Sequence, residues 1–233
     1  MPVHQQPRWA QLRALSDEVD AASTLLRHGL AILDSYRYAS RDADAVFVCL
    51  AGGTEKLAKL SLGLRALDAD GSWLPRRVMR ETYGHDIVVL DGAVRQIISE
   101  GRDRSTAPGY IQQLLKDAGD DLSLDLVLRT LAQYARRGRF YNLDLLADSA
   151  QPEPSPAQLW EDLHQQLLDE RPDLRTALAE GDWETGRKSL NQLIAGSLWR
   201  WCELVRRAWI TGAVGQQAKQ WAAQLDFGRQ PAP

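Results

Sequence analysis

ADAVFVCLAGGTEKLAKLSLGLRAL (Ala43–Leu67), followed after a loop by RETYGHDI (Arg80–Ile87), is the stretch whose reading decides the fold. Val46, Leu50, Gly53, Leu57, Leu60, Leu64 and Leu67 recur alternately four and three residues apart, which sets them on one face of a helix. Ser40 is the expected N-cap, and Asp42 and Asp44 fall in the first turn, where the helix dipole favours negative charge. Gly52 and Gly53 each cost about 1 kcal/mol against alanine in a helix interior. A glycine pair kept at that cost predicts a second helix backbone close by. The stretch reads as the central helix of an all-α bundle.

On its N-terminal side, Leu12, Leu15, Val19, Ala22, Leu26, Gly29 and Leu33 alternate by three and four, predicting a long amphipathic helix from Arg8 to Tyr36 after a loose leader. The short Tyr36–Ser40 connection makes the two helices an antiparallel hairpin. On the C-terminal side, Asp68–Pro75 (DADGSWLP) reads as a loop and Arg76–Thr82 as a helical turn. Asp86–Ser99 reads as a third helix carrying Ile87, Leu90, Val94 and Ile97 and closed by Gly101. Tyr110–Lys116 reads as a short helix, and Ser123–Arg137 as a longer one stopped by Gly138. Ser149–Ser155 (SAQPEPS) is the one clear linker. It divides the chain into a helical bundle over 1–148, a linker over 149–155 and a helical C-terminal extension over 156–233.

In the extension, Ser155 and Pro156 make a cap followed by an N1 proline, opening a helix that Leu159, Trp160, Leu163 and Leu167 carry to Glu170. A helical bridge over Arg171–Gly181 leads to a long helix from Trp183 to Thr211. Five of the eight tryptophans lie between Trp183 and Trp221. They imply a core or dimer face, with a base-stacking platform as the alternative.

A hydrophobic share of 44% with 25% charged residues is that of an ordinary globular chain. The net charge of −3 gives no global attraction to nucleic acid, so any such contact needs a local patch. Only five of the 28 basic residues are lysine; arginine suits bidentate phosphate contacts, and a codon-composition bias of the source genome accounts for the excess equally. Cys49 and Cys202 sit in apolar helical patterns and read as buried free thiols of a reducing compartment. No targeting signal opens the sequence, and no apolar run approaches the roughly 20 residues that span a bilayer. A cytoplasmic protein without membrane contact is expected.

The familiar catalytic words are absent: no P-loop, GxGxxG, CxxC, HExxH or GxSxG. No metal or cofactor is therefore expected. Of the histidines at 4, 28, 85 and 164, the first is in the leader and two lie inside helices, which leaves His85. Arg80 and His85 form R-x4-H. A histidine can move a proton to or from a ribose hydroxyl while an arginine neutralises charge building on the phosphate, with no metal needed. Roughly one such match is expected by chance in a chain of this composition. A His-Asp helix-capping turn explains the same residues. Glu55 and Lys59, at i and i+4, read as a surface ion pair worth a few tenths of a kcal/mol. Alternatively they face the pocket of His85 and fix its ring. Arg136, Arg137 and Arg139 form a basic patch beside Phe140 and Tyr141, able to hold a phosphate chain and stack a base. A helix C-terminus with arginines complementing its dipole accounts for the first two equally well.

The word Glu55-Lys56-x-x-Lys59 on one helix, followed downstream by His85-Asp86-Ile87 and later by Arg139-Phe140-Tyr141, resembles the HEPN superfamily of small α-helical domains. The resemblance covers about residues 10 to 148. It implies a bundle of four or five helices, often dimeric. In many members an R-x4–6-H motif at the dimer interface is a metal-independent endoribonuclease of toxin–antitoxin, phage-defence or RNA-processing systems. By that resemblance Arg80 is the phosphate-stabilising cation and His85 the acid–base group, with Glu81 at the polar position after the arginine. Asp86, Lys59, Arg136, Arg139 and Tyr141 would contact substrate. RNA, an antitoxin or nucleotidyltransferase-like protein, and a second copy of the chain are the implied partners. In nuclease members the motif lies in a late helix, whereas here it coincides with the His-Asp word. Members with that word alone often bind a nucleotide or a partner protein without catalysis. A plain helical interaction protein is the remaining reading.

Overall fold

The computed structural model describes residues 8–149, 152, 154–180 and 183–230. The expected leader with His4 and residues 150, 151 and 153 of the expected linker lie outside the described residues. Among those described, the protein is all-α, with ten α-helices and no strand. In chain order these are α1 (Arg8–Ser35), α2 (Ala39–Asp70), α3 (Ile87–Gly101), α4 (Pro108–Gly119) and α5 (Leu122–Arg137). There follow α6 (Tyr141–Leu146), α7 (Pro156–Glu170), α8 (Pro172–Glu180), α9 (Trp183–Thr211) and α10 (Gln216–Trp221). A π-helical turn, Val78–Tyr83, precedes α3, and a 3-10 turn, Gly138–Phe140, joins α5 to α6. No helix among the described residues is long and apolar enough to cross a membrane.

The predicted stripe of α2 is its buried face: Val46, Leu50, Leu57 and Leu64 are fully or almost fully inaccessible. α2 touches α1, α3, α5, α7 and α10, so it is the axis on which the other helices pack. Its start differs from expectation. Tyr38, in extended conformation, stands at the N-cap without a side-chain cap, and Ser40 lies within the first turn. Asp42 reaches back instead, accepting from the Arg37 and Tyr38 N–H groups at 2.8 and 3.1 Å. That carboxylate satisfies the N–H groups ahead of the helix, a task expected of Ser40. At the far end α2 runs a turn beyond Leu67, to a left-handed Gly71 whose N–H donates to the Leu67 carbonyl.

α1 and α2 form the antiparallel hairpin. The two glycines of α2 divide the work unequally. A Cβ on Gly53 would lie 2.9 Å from the Leu26 backbone nitrogen and 2.7 Å from Leu26 Cγ, so this is the close approach of two helix backbones. A Cβ on Gly52 would meet only Leu25 Cδ1, at 3.5 Å. Gly52→Ala should therefore stabilise the protein by about 1 kcal/mol through helix propensity. Gly53→Ala should destabilise it by about 1–3 kcal/mol through overpacking. Urea denaturation of the two variants checks this contrast; equal shifts of one sign would contradict it.

The helices after the linker share the core of those before it. Ser155 caps α7, accepting from Gln158 N at 3.2 Å, with Pro156 at N1 as the sequence predicts. Trp160 of α7 stacks on Tyr36 with ring centroids 4.5 Å apart and meets Phe47 in a T-shaped arrangement at 5.6 Å. α9 packs against α1, α4 and α5. Trp201 donates to Asp91 Oδ1 at 2.6 Å and Trp209 to Ser61 Oγ at 2.9 Å, both indoles being fully buried. Trp199 and Trp221 are partly buried against the same core, while Trp183 is exposed. Beyond α10, Leu225 and Phe227 are buried, and the Gln224 carbonyl accepts from Ser23 of α1 at 3.3 Å.

Candidate functional site

Val48, Gly52, Glu55 and Lys59 are spaced by four, three and four along α2, forming a stripe beside its buried face. The connection after α2 brings the chain back to this stripe. At Gly84 (φ 51°) the backbone takes the left-handed side of conformational space, which favours glycine, and then enters α3. Lys59 Nζ donates to the Gly84 carbonyl at 2.6 Å and to Glu55 Oε1 at 2.8 Å. One lysine thus fastens the entry of α3 to the middle of α2.

His85 follows Gly84, and its Nδ1 lies 3.0 and 3.1 Å from the two Glu55 oxygens. Asp86 is the N-cap of α3: its Oδ1 accepts from Val88 and Val89 N–H at 3.1 and 3.2 Å. Its Oδ2 is 3.4 Å from Arg136 at the end of α5. Arg139, on the turn that follows α5, places a guanidinium nitrogen 3.9 Å from Glu55 Oε2. Three chain segments, α2, the connection into α3 and the turn after α5, therefore meet at the Glu55 carboxylate.

That carboxylate is 12% exposed, whereas the His85 side chain is 59% exposed, so the acid stands behind the imidazole. Burial pushes the Glu55 carboxyl up, but hydrogen bonds from Lys59 and His85 and their charges outweigh it and hold it below the ordinary glutamate value. Its contribution to stability is in place above the ordinary carboxylate range and is lost as pH falls through the lowered value. A carboxylate at Nδ1 selects the tautomer protonated there. Nε2 is then the atom that can accept a proton, or donate one when the ring is charged.

The i, i+4 pair Glu55–Lys59 is thus not a solvated surface pair; its side chains are 12% and 23% exposed and it belongs to the His85 cluster. Arg80 is exposed, and among the described residues no hydrogen bond or ion pair joins it to His85. Glu81 is bound to Arg77 at 2.7 Å on the open surface. Tyr141 opens α6, half-buried, with no hydrogen bond to the cluster among the described residues. The structure therefore gathers Lys59, His85, Asp86, Arg136 and Arg139, but not Arg80, Glu81 or Tyr141.

Two clefts adjoin this cluster, one through Glu55 and one through Asp86, and His85 lines neither. One, of about 380 Å³, is lined by Glu55, Lys59 and Arg139 together with Glu18, Gly52, Lys56, Leu60, Trp73 and Met79. The other, of about 370 Å³, lies between α3 and α5, with Asp86, Arg129 and Arg136 beside the exposed Val88 and Val89. Trp73 and Met79 lie outside the residues that sequence reasoning selected. The available signal was a lone tryptophan in a polar loop. Among the described residues no group of three or more His, Cys, Asp or Glu side chains is placed to hold a metal. No protein-family model matches the chain, and no curated protein or solved structure matches it either.

Proposed function

We propose that the chain is a HEPN-like, metal-independent endoribonuclease in which His85 moves the proton and Glu55 orients it. The observation that carries this reading is the largely buried Glu55 carboxylate on Nδ1 of an exposed imidazole, with Arg139 and Arg136 close by. Nε2 takes the proton of a ribose 2′-hydroxyl. The 2′-oxygen attacks the adjacent phosphorus, the bond to the 5′-oxygen breaks, and a 2′,3′-cyclic phosphate forms. The departing 5′-oxygen needs a proton, and the imidazolium of a second copy across a two-fold axis supplies it. Lys59 is committed to Glu55 and the Gly84 carbonyl, so Arg139, the arginine that reaches Glu55, takes the charge-neutralising role expected of Arg80. Such an activity belongs to a toxin–antitoxin or phage-defence system.

A non-catalytic module that binds a nucleotide or a partner protein is the second reading. It is favoured by the separation of Arg80 from His85 and by the use of Lys59 to hold Gly84 rather than face solvent. The test is cleavage of a mixed RNA pool in EDTA by wild type, His85→Ala, Arg139→Ala and Arg80→Ala. On the nuclease reading His85→Ala lowers the rate about 10²- to 10⁴-fold, with the helical circular dichroism signal unchanged. Arg139→Ala should lower it more than Arg80→Ala. RNA binding without cleavage in wild type would select the binding module, and undiminished cleavage by His85→Ala would remove His85 from the chemistry.

A further inference from the structure

The cleft beside Glu55 has two unlike halves. Leu60 and Gly52 of α2, Trp73 of the connection and Met79 of the π-helical turn make one side apolar. Glu18 and Lys56, in contact with each other across the hairpin, and the Glu55–Lys59–Arg139 group make the other side charged. Trp73 is seated from behind: a Cβ on Gly63 would fall 2.2 Å from its ring, so the indole lies directly on the α2 backbone. It is nonetheless 41% exposed, far more than the fully buried indoles of Trp201 and Trp209. Gly52 leaves the floor without a side chain, although nothing in the packing demands glycine there.

The charges argue against a bare phosphate as occupant. Lys56 and Lys59 are each paired with a carboxylate, and the five ionised groups of the lining sum to +1, three cations against two anions. A flat, apolar-faced group whose rim both donates and accepts hydrogen bonds fits these walls better. The volume is at the small end of ligand sites, which run from about 300 to 1,000 Å³. We propose that this cleft is a base subsite, receiving an unpaired guanine of the RNA whose phosphate lies at His85. The base stacks on Trp73. Guanine alone among the RNA bases offers two adjacent N–H groups, N1–H and N2–H, to a single carboxylate, here Glu18. Its O6 and N7 accept from Lys56 or Arg139. Because the cleft and the dyad share Glu55, a base held there sets which phosphate reaches Nε2.

The inference rests on the ribonuclease reading for its role, but base binding is measurable without cleavage. Equilibrium dialysis would compare GMP, AMP, CMP, UMP, ribose 5-phosphate and inorganic phosphate on wild type, His85→Ala, Trp73→Ala, Glu18→Gln and Gly52→Leu. GMP should bind at least tenfold more tightly than the others, and this preference should persist in His85→Ala. Trp73→Ala and Gly52→Leu should each weaken it about tenfold or more, since stacking on an aromatic carries much of base affinity. Gly52→Leu puts its side chain into the cleft rather than the core, and an unchanged melting temperature would separate blockage from unfolding. Equal binding of all mononucleotides and ribose 5-phosphate, or GMP binding untouched by Gly52→Leu, would overturn the proposal. Cleavage by wild type without selective GMP binding would leave the nuclease reading standing and remove the base subsite. Selective GMP binding without any cleavage would do the reverse.

Discussion

Trp209→Ala should lower the free energy of unfolding by about 3–5 kcal/mol, the usual cost of emptying a buried tryptophan site. Trp209 is fully inaccessible, and its indole N–H donates to Ser61 Oγ, which in turn donates to the Leu57 carbonyl. The substitution opens a cavity between α9 and α2, where the extension meets the central helix. With native stabilities of about 5–15 kcal/mol, a loss of that size is a large part of the total. Trp209→Phe keeps most of the volume, and Ser61 keeps its own acceptor at Leu57, so its cost should be nearer 1–2 kcal/mol. Urea midpoints for the two variants test the assignment. Similar small losses in both would mean that α9 is not part of the main core.

The second large effect is acid lability through His164. Burial is the main cause that pushes this imidazole down to about 4, with the Arg187 charge acting in the same direction and the nearby Asn191 side chain opposing both. Trp160 and Tyr36 pack around it, with ring centroids 5.0 and 6.4 Å away. The sign follows from where protons bind. Below the ordinary value of 6.5 the unfolded chain takes up a proton that the folded chain refuses, so stability falls as pH drops from 6.5 towards 4. A gap of that width corresponds to about 3 kcal/mol, lost progressively across the window. His164→Gln cannot titrate and should flatten the stability profile between pH 7 and 4.5. An unchanged slope in that variant would show that another group carries the acid sensitivity. Glu55 also contributes to acid lability, but only below the ordinary carboxylate range, so the two are separable.

The α2 stripe was legible because its period survives any arrangement of neighbours. Val46, Leu50 and Leu57 had to face something apolar. Ser155 with Pro156 was equally legible, since a cap and an N1 proline act locally. Ser40 was misread because the competing acceptor, Asp42, reaches backwards to two N–H groups that only the bend at 36–38 brings near. Spacing placed Glu55 and Lys59 side by side but could not say what lay opposite. Gly84 is 25 residues beyond Lys59, and its carbonyl becomes a partner only after the π-helical turn returns the chain to α2. For Arg80 and His85 the sequence supplied a separation and nothing about direction; Arg80 lies within that turn and His85 beyond it. Trp73 had no periodicity to betray it.

The contact between α1 and the segment after α10 has a consequence during synthesis. Ser23 and Arg27 on α1 bind the Gln224 carbonyl and the Asp226 carboxylate, and Leu225 and Phe227 close over the same region. Some 200 residues separate these partners in the chain. At elongation rates of about 5–20 residues per second, α1 waits roughly 10–40 s after its own translation for that cover. During that interval the apolar faces destined for α7 and α9 are open on the α1–α2 hairpin. A nascent chain stalled before Trp183 should accordingly be a strong client of holdase chaperones, and its release should come only when α9 has emerged from the ribosome.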